Sequence, residues 1–579
     1  MRRYDLNEIR RDMIGGDLAF PAPFGERHLF YADYTASGRG VKRIEEHLLH
    51  IQESYANTHT EDDYSGKYMT TLLHQAEARI KELVNAGPQG KIIATGSGTT
   101  GALKKLQEII GVYIPPLTRE RIFQSLKKTE GGCALALEKI EKDRPVVFIG
   151  PYEHHTNELM WREALAEVSV VGFDEMGKIS LRELDRRLAD PRHANRLKIG
   201  SFSAGSNITG VKTDVYEIAR ICHDHGALAF FDFAAVAPYV EINMNRDERS
   251  YLDAIFFSPH KFLGGPATSG ILIFNEKIYR TDLPPTTAGG GTVRYVGFDT
   301  HDFSSDIEMR EKAGTPPILQ TIKAALAMEL KEQIGIETIE RLETQFAEYF
   351  IRELRTVENV DMIGDAAPAD RIPIVSFNIR HCDRILHPKF VTKLMNDLFG
   401  IQSRGGCSCA GPYGHFLLGI DRDKSQKFRR EILCGHEGLK PGWVRVNLHY
   451  TMTQEDLDFL LQAIRFLARS AHQFLRRYGF NMRTGEWRHL DFHEPVLDFS
   501  LDHSFRKAKI DLERLPELRR SYLDQAEALA AELEREGRIT FLQDDPELEA
   551  LKVFYYAHRT LDSPSPSCDC RSRSAIMRS

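Results

Sequence analysis

The segment Ser258-Pro259-His260-Lys261 closes an apolar run, Ala254 to Ser258, and is followed by Gly264-Gly265. A lysine at the end of a strand, among small residues and beside a histidine, can be desolvated enough to form a Schiff base with an aldehyde. Asp232 ends a second apolar run that includes Leu228 to Phe231. A carboxylate buried there is costly unless a cation faces it. The protonated ring nitrogen of a bound cofactor is such a cation.

Three further clusters have types and spacings suited to chemistry. Ala94-Thr95-Gly96-Ser97-Gly98-Thr99-Thr100-Gly101 leads into a helical pattern through Leu106 and Ile110. Its small residues leave amides and hydroxyls at a helix N-terminus, a natural phosphate seat, although a Gly/Thr loop is also an ordinary turn. The absence of Gly-Lys-Ser/Thr excludes a Walker loop. Glu153-His154-His155-Thr156-Asn157 lies just beyond the run ending at Gly150, where an imidazole can stack on an aromatic cofactor or simply begin a helix. Cys407 and Cys409 sit as Cys-x-Cys inside Arg404-Gly405-Gly406-Cys407-Ser408-Cys409-Ala410. A thiolate there can serve as a nucleophile; the alternative is a pair of small buried hydrophobes.

The elements that must position these residues follow from periodicity. Short β-rich runs at Val146 to Gly150, Val168 to Phe173, Lys198 to Ser203, Ala227 to Asp232, Ala254 to Ser258 and Gly270 to Phe274 alternate with helical patterns. Such alternation predicts a largely parallel sheet covered by helices. Residues 113–143 read as a surface insertion. After Gly314-Thr315-Pro316-Pro317 come a helical run through Ile318 to Leu354, a strand at Ile372 to Ile379, a helix near Phe390 to Leu398, a strand at Trp443 to Leu448 and a helix at Thr453 to Leu475. The expected organisation is an N-terminal segment (1–30), a large domain (31–315), a smaller α+β domain (316–475), a helical appendage (476–562) and a disordered tail (563–579).

Composition narrows the function classes. The 579 residues are 42% apolar and 27% charged, and the net charge of −7 comes from 76 basic against 83 acidic residues without a dominant block of one sign. A general nucleic-acid or anionic-membrane surface is therefore not expected. The most apolar stretch, Gly226 to Val240, is interrupted by Asp232 and is too short for a membrane span. Eight cysteines in so long a chain fit a reducing compartment rather than a disulfide framework, so a cytoplasmic location is expected. Asn207-Ile208-Thr209 is a chance glycosylation sequon in that setting. Cys568-Asp569-Cys570 falls in the Ser/Pro/Arg-rich tail, and the histidine pair has no further ligands at metal-site spacing.

Taken in order, the phosphate loop, His154-His155-Thr156-Asn157, Ser206-Asn207-Ile208-Thr209-Gly210, Asp232, the Lys261 turn, Ala313-Gly314-Thr315-Pro316 and the cysteine segment resemble class V aminotransferases, specifically the cysteine desulfurase and selenocysteine lyase group. The resemblance covers about Tyr31 to Leu475. It implies pyridoxal 5′-phosphate (PLP), fold type I with a mainly parallel seven-stranded sheet, and a homodimer. By resemblance, Lys261 carries the cofactor and later moves a proton, His154 stacks on the ring, and Asp232 pairs with the ring nitrogen. Gly98, Thr99, Ser258 and His260 hold the phosphate, Asn207 lies by the phenolic oxygen, Thr315 reaches the phosphate of the other subunit, and Arg404 grips the substrate carboxylate.

Cys409 occupies the position of the desulfurase nucleophile. The activity so implied is conversion of L-cysteine to L-alanine with a persulfide on Cys409, destined for a sulfur-acceptor protein. Selenocysteine lysis, cleavage of a larger cysteine derivative, amino-acid epimerisation and a catalytically weak sulfur-handing scaffold are the alternatives. Two departures stand out: the family's Asp-Gly-Ala-Gln reads Asp232-Phe233-Ala234-Ala235, and the glycine before the His-Lys pair is Pro259.

Overall fold

A computed structural model describes residues 4–58, 60, 62–127, 139–495 and 508–560. The chain divides into two compact units. The first takes the N-terminal residues through Ile14, Tyr34–Leu342 and Ala369–Ile372. The second takes Gly15–Asp33, Glu343–Pro368 and the described chain from Pro373 onward. Among the described residues, no helix is long and apolar enough to cross a membrane.

The first unit is built on a seven-stranded sheet in the order Gly90–Thr95, Gly270–Asn275, Ala254–Phe257, Leu228–Asp232, Lys198–Ser203, Val146–Ile149, Glu167–Val170. Gly270–Asn275 runs antiparallel to both neighbours, and the five strands from Ala254–Phe257 to Glu167–Val170 pair in parallel. Val146–Ile149 and Ala254–Phe257 are buried at every position, so each reads as an unbroken apolar run, as expected for a strand covered on both faces. Helices supply the cover. Gly98–Ile109 turns Ala102, Leu103 and Leu106 into the same core as Val147, Phe230 and Phe256. Val215–Asp224 starts at Asp214, whose side chain accepts from the Glu217 N–H, and buries Ile218, Ala219 and Cys222.

Register then fixes chemistry. Ser203 pairs with Asp232, and Asp232 with Phe256, so the carboxylate stands at the C-terminal ends of adjacent parallel strands. In open α/β sheets, ligands bind outside these ends. The insertion carries a largely exposed helix, Pro116–Lys127. The helical run after Pro317 is two helices, Ile318–Ile334 and Ile336–Leu354, separated by Gly335 at φ 92°. The first packs on Tyr64–Leu83 and so extends the large unit beyond residue 315.

The second unit has an antiparallel sheet of Val360–Met362, Ile374–His381, Trp443–Asn447 and Arg404–Gly406, with Arg384–Ile385 paired to Ile374–His381. Helix Pro388–Phe399 packs on Arg404–Gly406. Helix Gln454–Ser470 begins with a capping box between Thr453 and Asp456. Beyond residue 476 the chain holds helix Leu515–Arg535, but also three strands, Tyr478–Asn481, Glu486–His489 and His558–Arg559, that form one small sheet. Helical periodicity gives no sign of that sheet. The Cys568/Cys570 pair and the tail lie outside the described residues.

Candidate active site

Lys261 ends a single 3-10 turn, Pro259–Lys261, directly after the buried strand Ala254–Phe257. Its amide donates to the Ser258 carbonyl at 3.1 Å. Proline suits the first position of such a turn, because its fixed φ is already helical and its missing N–H would have no partner there. Pro259 therefore completes the turn rather than distorting it. The turn is gripped from outside: the Gly38 N–H donates to the His260 carbonyl at 2.9 Å, and the Ser37 hydroxyl donates to the same oxygen at 3.2 Å. A Cβ on Gly38 would fall 1.9 Å from the Phe262 carbonyl oxygen, and one on Gly265 equally near that of Pro259. Both glycines are required by close backbone approach.

Asp232 is buried and accepts from the Ala234 N–H at 2.8 Å. Burial pushes its carboxyl up to about 6, against the opposing effects of that N–H and of the Lys261 charge. A buried acid raised in this way gains from a cation beside it, which a protonated ring nitrogen would supply. The departure at Ala235 removes an amide and leaves a small buried side chain.

Gly98, at φ 57°, opens helix Gly98–Ile109, whose Ncap residue Ser97 makes no side-chain cap. The Thr99 N–H donates to Ser258 Oγ at 2.8 Å, and Thr99 Oγ1 lies 2.7 Å from the same hydroxyl. A Cβ on Gly98 would come 2.8 Å from Ser258 Oγ and 3.6 Å from His260 Nε2, and one on Gly270 would strike the Gly98 carbonyl at 2.0 Å. Two glycines thus keep clear a cradle lined by hydroxyls and amides at a helix N-terminus, which fits a phosphate. His260 is driven down to about 4 by burial and the neighbouring Lys261 charge, so its ring is neutral at pH 7. A neutral ring contributes a hydrogen bond rather than a charge.

His154 caps helix His155–Arg162, its Nδ1 accepting from the Thr156 N–H at 3.1 Å, which leaves the ring proton on Nε2. Behind it, Glu153 is buried and accepts from Gly150 N–H (2.9 Å), Ser203 N–H (2.9 Å), Ser203 hydroxyl (2.6 Å) and the Asn157 amide (2.7 Å). Burial lifts Glu153 to about 7, the Asn157 and Ser203 donors oppose the lift, and Asp232 adds to it. Asn207 is buried in the loop after Lys198–Ser203. Thr315 is exposed, its hydroxyl accepting from Asn57 at 3.2 Å. The first unit therefore gathers Gly98, Thr99, Ser258, His260 and Lys261, with Asp232 at a neighbouring strand end.

In the second unit, Arg404 opens the strand Arg404–Gly406, which pairs with Trp443–Asn447. Its guanidinium reaches Asp33, with Nε at 3.0 Å and Nη2 at 2.9 Å. Arg445 Nη2 holds the other Asp33 oxygen at 3.0 Å. Burial lowers the Arg404 pKa, but the Asp33 bond and the charges of Asp33, Tyr31 and Cys409 raise it overall. Cys409 is exposed and Cys407 half-buried. Asp33, Ser37, Gly38 and the hub formed by Glu153 are not singled out by the sequence. The one signal for the first three is the dense run of small and polar residues Asp33–Gly40.

The family model for aminotransferase class-V matches residues 129–460. A probable cysteine desulfurase of Halalkalibacterium halodurans is 29% identical over 275 residues, covering 47% of this chain and 63% of that protein. One from Streptomyces coelicolor is 24% identical over 417 residues, covering 70% and 89%. Among solved structures, a cysteine desulfurase of Thermococcus onnurineus NA1 superposes with TM-score 0.62 at 23% identity over 81% of this chain and 99% of its own. One from Escherichia coli gives 0.58 at 18% identity over 80% and 98%. These two share the fold. With a family match over more than half its length and a lysine turn, acid and phosphate cradle that fit PLP, the chain belongs to the aminotransferase class-V family of PLP-dependent enzymes.

Proposed function

We propose that this enzyme is a cysteine desulfurase, converting L-cysteine to L-alanine and retaining the sulfur as a persulfide on Cys409. The observation that carries the reading is Cys409 itself, an exposed thiol just past a sheet strand and interacting with the Arg404 guanidinium. Relatives named cysteine desulfurase support it.

PLP, when bound, supplies an electron sink for the substrate carbons. Gly98, Thr99, Ser258 and His260 would bind its phosphate, His154 and Asn207 would hold its ring, and Asp232 would keep a proton on the ring nitrogen. Arg404 binds the substrate carboxylate through charge-assisted hydrogen bonds. Lys261 holds the cofactor and moves the substrate proton through its Nζ. The Cys409 thiolate attacks the substrate sulfur: an S–S bond forms, the C–S bond breaks with its electron pair left on carbon, and a proton completes alanine. The exposed Thr315 is the residue proposed to reach the phosphate site of a second copy in a homodimer. An acceptor protein's thiol is proposed to collect the sulfur.

The test is to give PLP-loaded protein L-cysteine and assay alanine, sulfide and protein persulfide. Equal alanine and Cys409 persulfide in the first turnover is expected, with alanine abolished in Cys409→Ser. Undiminished turnover in that variant would make the enzyme a lyase or epimerase of the same family.

A further inference from the structure

The desulfurase reaction leaves Cys407 without a task, and a role for this thiol rests on that reaction being the right one. The strand before the two cysteines is pinned. Arg404–Gly406 pairs with Trp443–Asn447, and a Cβ on Gly405 would lie 2.8 Å from both the Pro388 carbonyl and the Thr392 hydroxyl. The chain after them is pinned too, since a Cβ on Gly414, in helix Gly411–Leu417, would meet the Trp443 ring at 2.9 Å.

Between these anchors the backbone reverses. The Ala410 N–H reaches back to the Cys407 carbonyl at 3.4 Å, and both intervening residues, Ser408 (φ 51°) and Cys409 (φ 56°), are left-handed. Consecutive non-glycine residues in that conformation cost of order 1 kcal/mol or more each, so the surroundings must enforce the turn. Residues two apart are separated by at most about 7 Å. A left-handed bend at the middle residue shortens that into the range, roughly 4.4–6.8 Å between Cα atoms, in which two cysteine sulfurs can meet.

The charges of two different cations also act on the two thiols. Arg404 interacts with Cys409. Lys389, on helix Pro388–Phe399, interacts with Cys407: burial and Lys440 depress this lysine, while Glu437, Glu486 and Cys407 oppose them. Cys409 is exposed, where a substrate sulfur or solvent reaches it, and Cys407 is half-buried. A second thiol, set one reverse turn from the nucleophile and better shielded, has the attributes of a storage site.

We propose that Cys407 is a second sulfur carrier, taking the outer sulfur from the Cys409 persulfide. The Cys407 thiolate attacks that outer sulfur, the new S–S bond forms on Cys407, and the old one breaks with its electron pair returning to Cys409. One S–S bond replaces another, so no oxidant, reductant or co-reactant is consumed. Cys409 is then ready for a second L-cysteine while the first sulfur is retained.

The experiment uses full-length PLP-loaded protein and L-cysteine without added thiol, followed by alkylation and fragment mapping that separates Cys407 from Cys409. Expected in the native protein are a burst of about two alanines per site and the first sulfur on Cys407. Cys407→Ser should still make alanine, but only about one per site in the burst, with the sulfur left on Cys409. Sulfur confined to Cys409 in the native protein, with Cys407 alkylated as a plain thiol, would overturn the carrier role while leaving the desulfurase reading intact. So would a Cys407–Cys409 disulfide with release of sulfide. No alanine and no persulfide from native protein overturns both. Mapping the native protein decides the matter even if the variant fails to fold.

Discussion

The Asp33 carboxylate sits 2.9 Å from Arg404 Nη2, closing on the Nε–Nη2 edge of the guanidinium that is proposed to bind the substrate. The acid is almost wholly buried, and its second oxygen is held by the equally buried Arg445. Asp33 therefore orients Arg404 and neutralises a buried cation at once. Asp33→Asn keeps the shape and removes the charge. It should raise KM for L-cysteine at least tenfold, with a smaller change in kcat, and lower stability by about 1–3 kcal/mol through loss of the buried ion pair with Arg445. Steady-state kinetics beside thermal unfolding checks this; an unmoved KM would mean that Asp33 only stabilises the unit.

Lys261 is predicted to be the lysine that carries PLP. Borohydride treatment of the holoprotein, followed by peptide mapping, should find the pyridoxyl group there, and Lys261→Ala should lose the absorption band at about 420 nm that a PLP–lysine imine gives. A label on another lysine removes Lys261 from the mechanism.

Gly98→Ala places a Cβ 2.8 Å from Ser258 Oγ and forces an L side chain to φ 57°. PLP affinity should drop at least tenfold, equivalent to about 1.4 kcal/mol, because the added carbon occupies the phosphate cradle. Equilibrium titration of cofactor-free protein measures it. Native affinity in the variant would move the phosphate elsewhere.

Asp232 makes a prediction with a definite sign. Its folded pKa, raised to about 6, exceeds the unfolded value near 3.8, so between these pH values the folded state binds the extra proton. The group is neutral in its effect below that window and destabilising above it, by up to about 3 kcal/mol. Cofactor-free Asp232→Asn should therefore gain stability over the native sequence as pH rises from about 4 to 6. With PLP bound the ring nitrogen supplies the counter-charge and the difference should shrink, while turnover of Asp232→Asn falls by orders of magnitude. Urea melts at the two ends of the window test the sign, and a pH-independent difference would refute it.

The parts legible in the sequence are those fixed by short-range patterns. Lys198–Ser203 is readable to the residue because, after the partly buried Lys198, both faces are buried and the run is apolar or small throughout. At the sheet edge, the expected Val168 to Phe173 proves to be Glu167–Val170: Val171 is buried but lies past the pairing, so apolarity outlasts the strand. Tyr478–Asn481 forms a hairpin with Glu486–His489, but the third strand of that sheet, His558–Arg559, is a distant partner that no local period announces. The site divides the same way. Lys261, Asp232 and the Gly98 loop declare themselves by type and spacing. Ser37 and Gly38 do not, since both touch the lysine turn through its backbone oxygen, an interaction indifferent to the side chain at His260. Glu153 stands within a recognisable motif, but the two donors that Ser203 supplies reach it only after the strands ending at Ile149 and Ser203 are side by side.

The antiparallel strand Gly270–Asn275 has a further consequence, for synthesis. Among the described residues it alone joins Gly90–Thr95 to the rest of the large sheet, so the strand feeding the phosphate loop waits for this neighbour until the ribosome has passed Asn275. At roughly 5–20 residues per second, that wait lasts on the order of ten seconds or longer. Throughout it, Ile92 and Ile93, which end up almost wholly buried, lie on a nascent chain with an open edge. Chaperone demand and aggregation during translation should therefore be concentrated on this stretch, and a truncation ending before Gly270 should release a chain unable to seat its own phosphate loop.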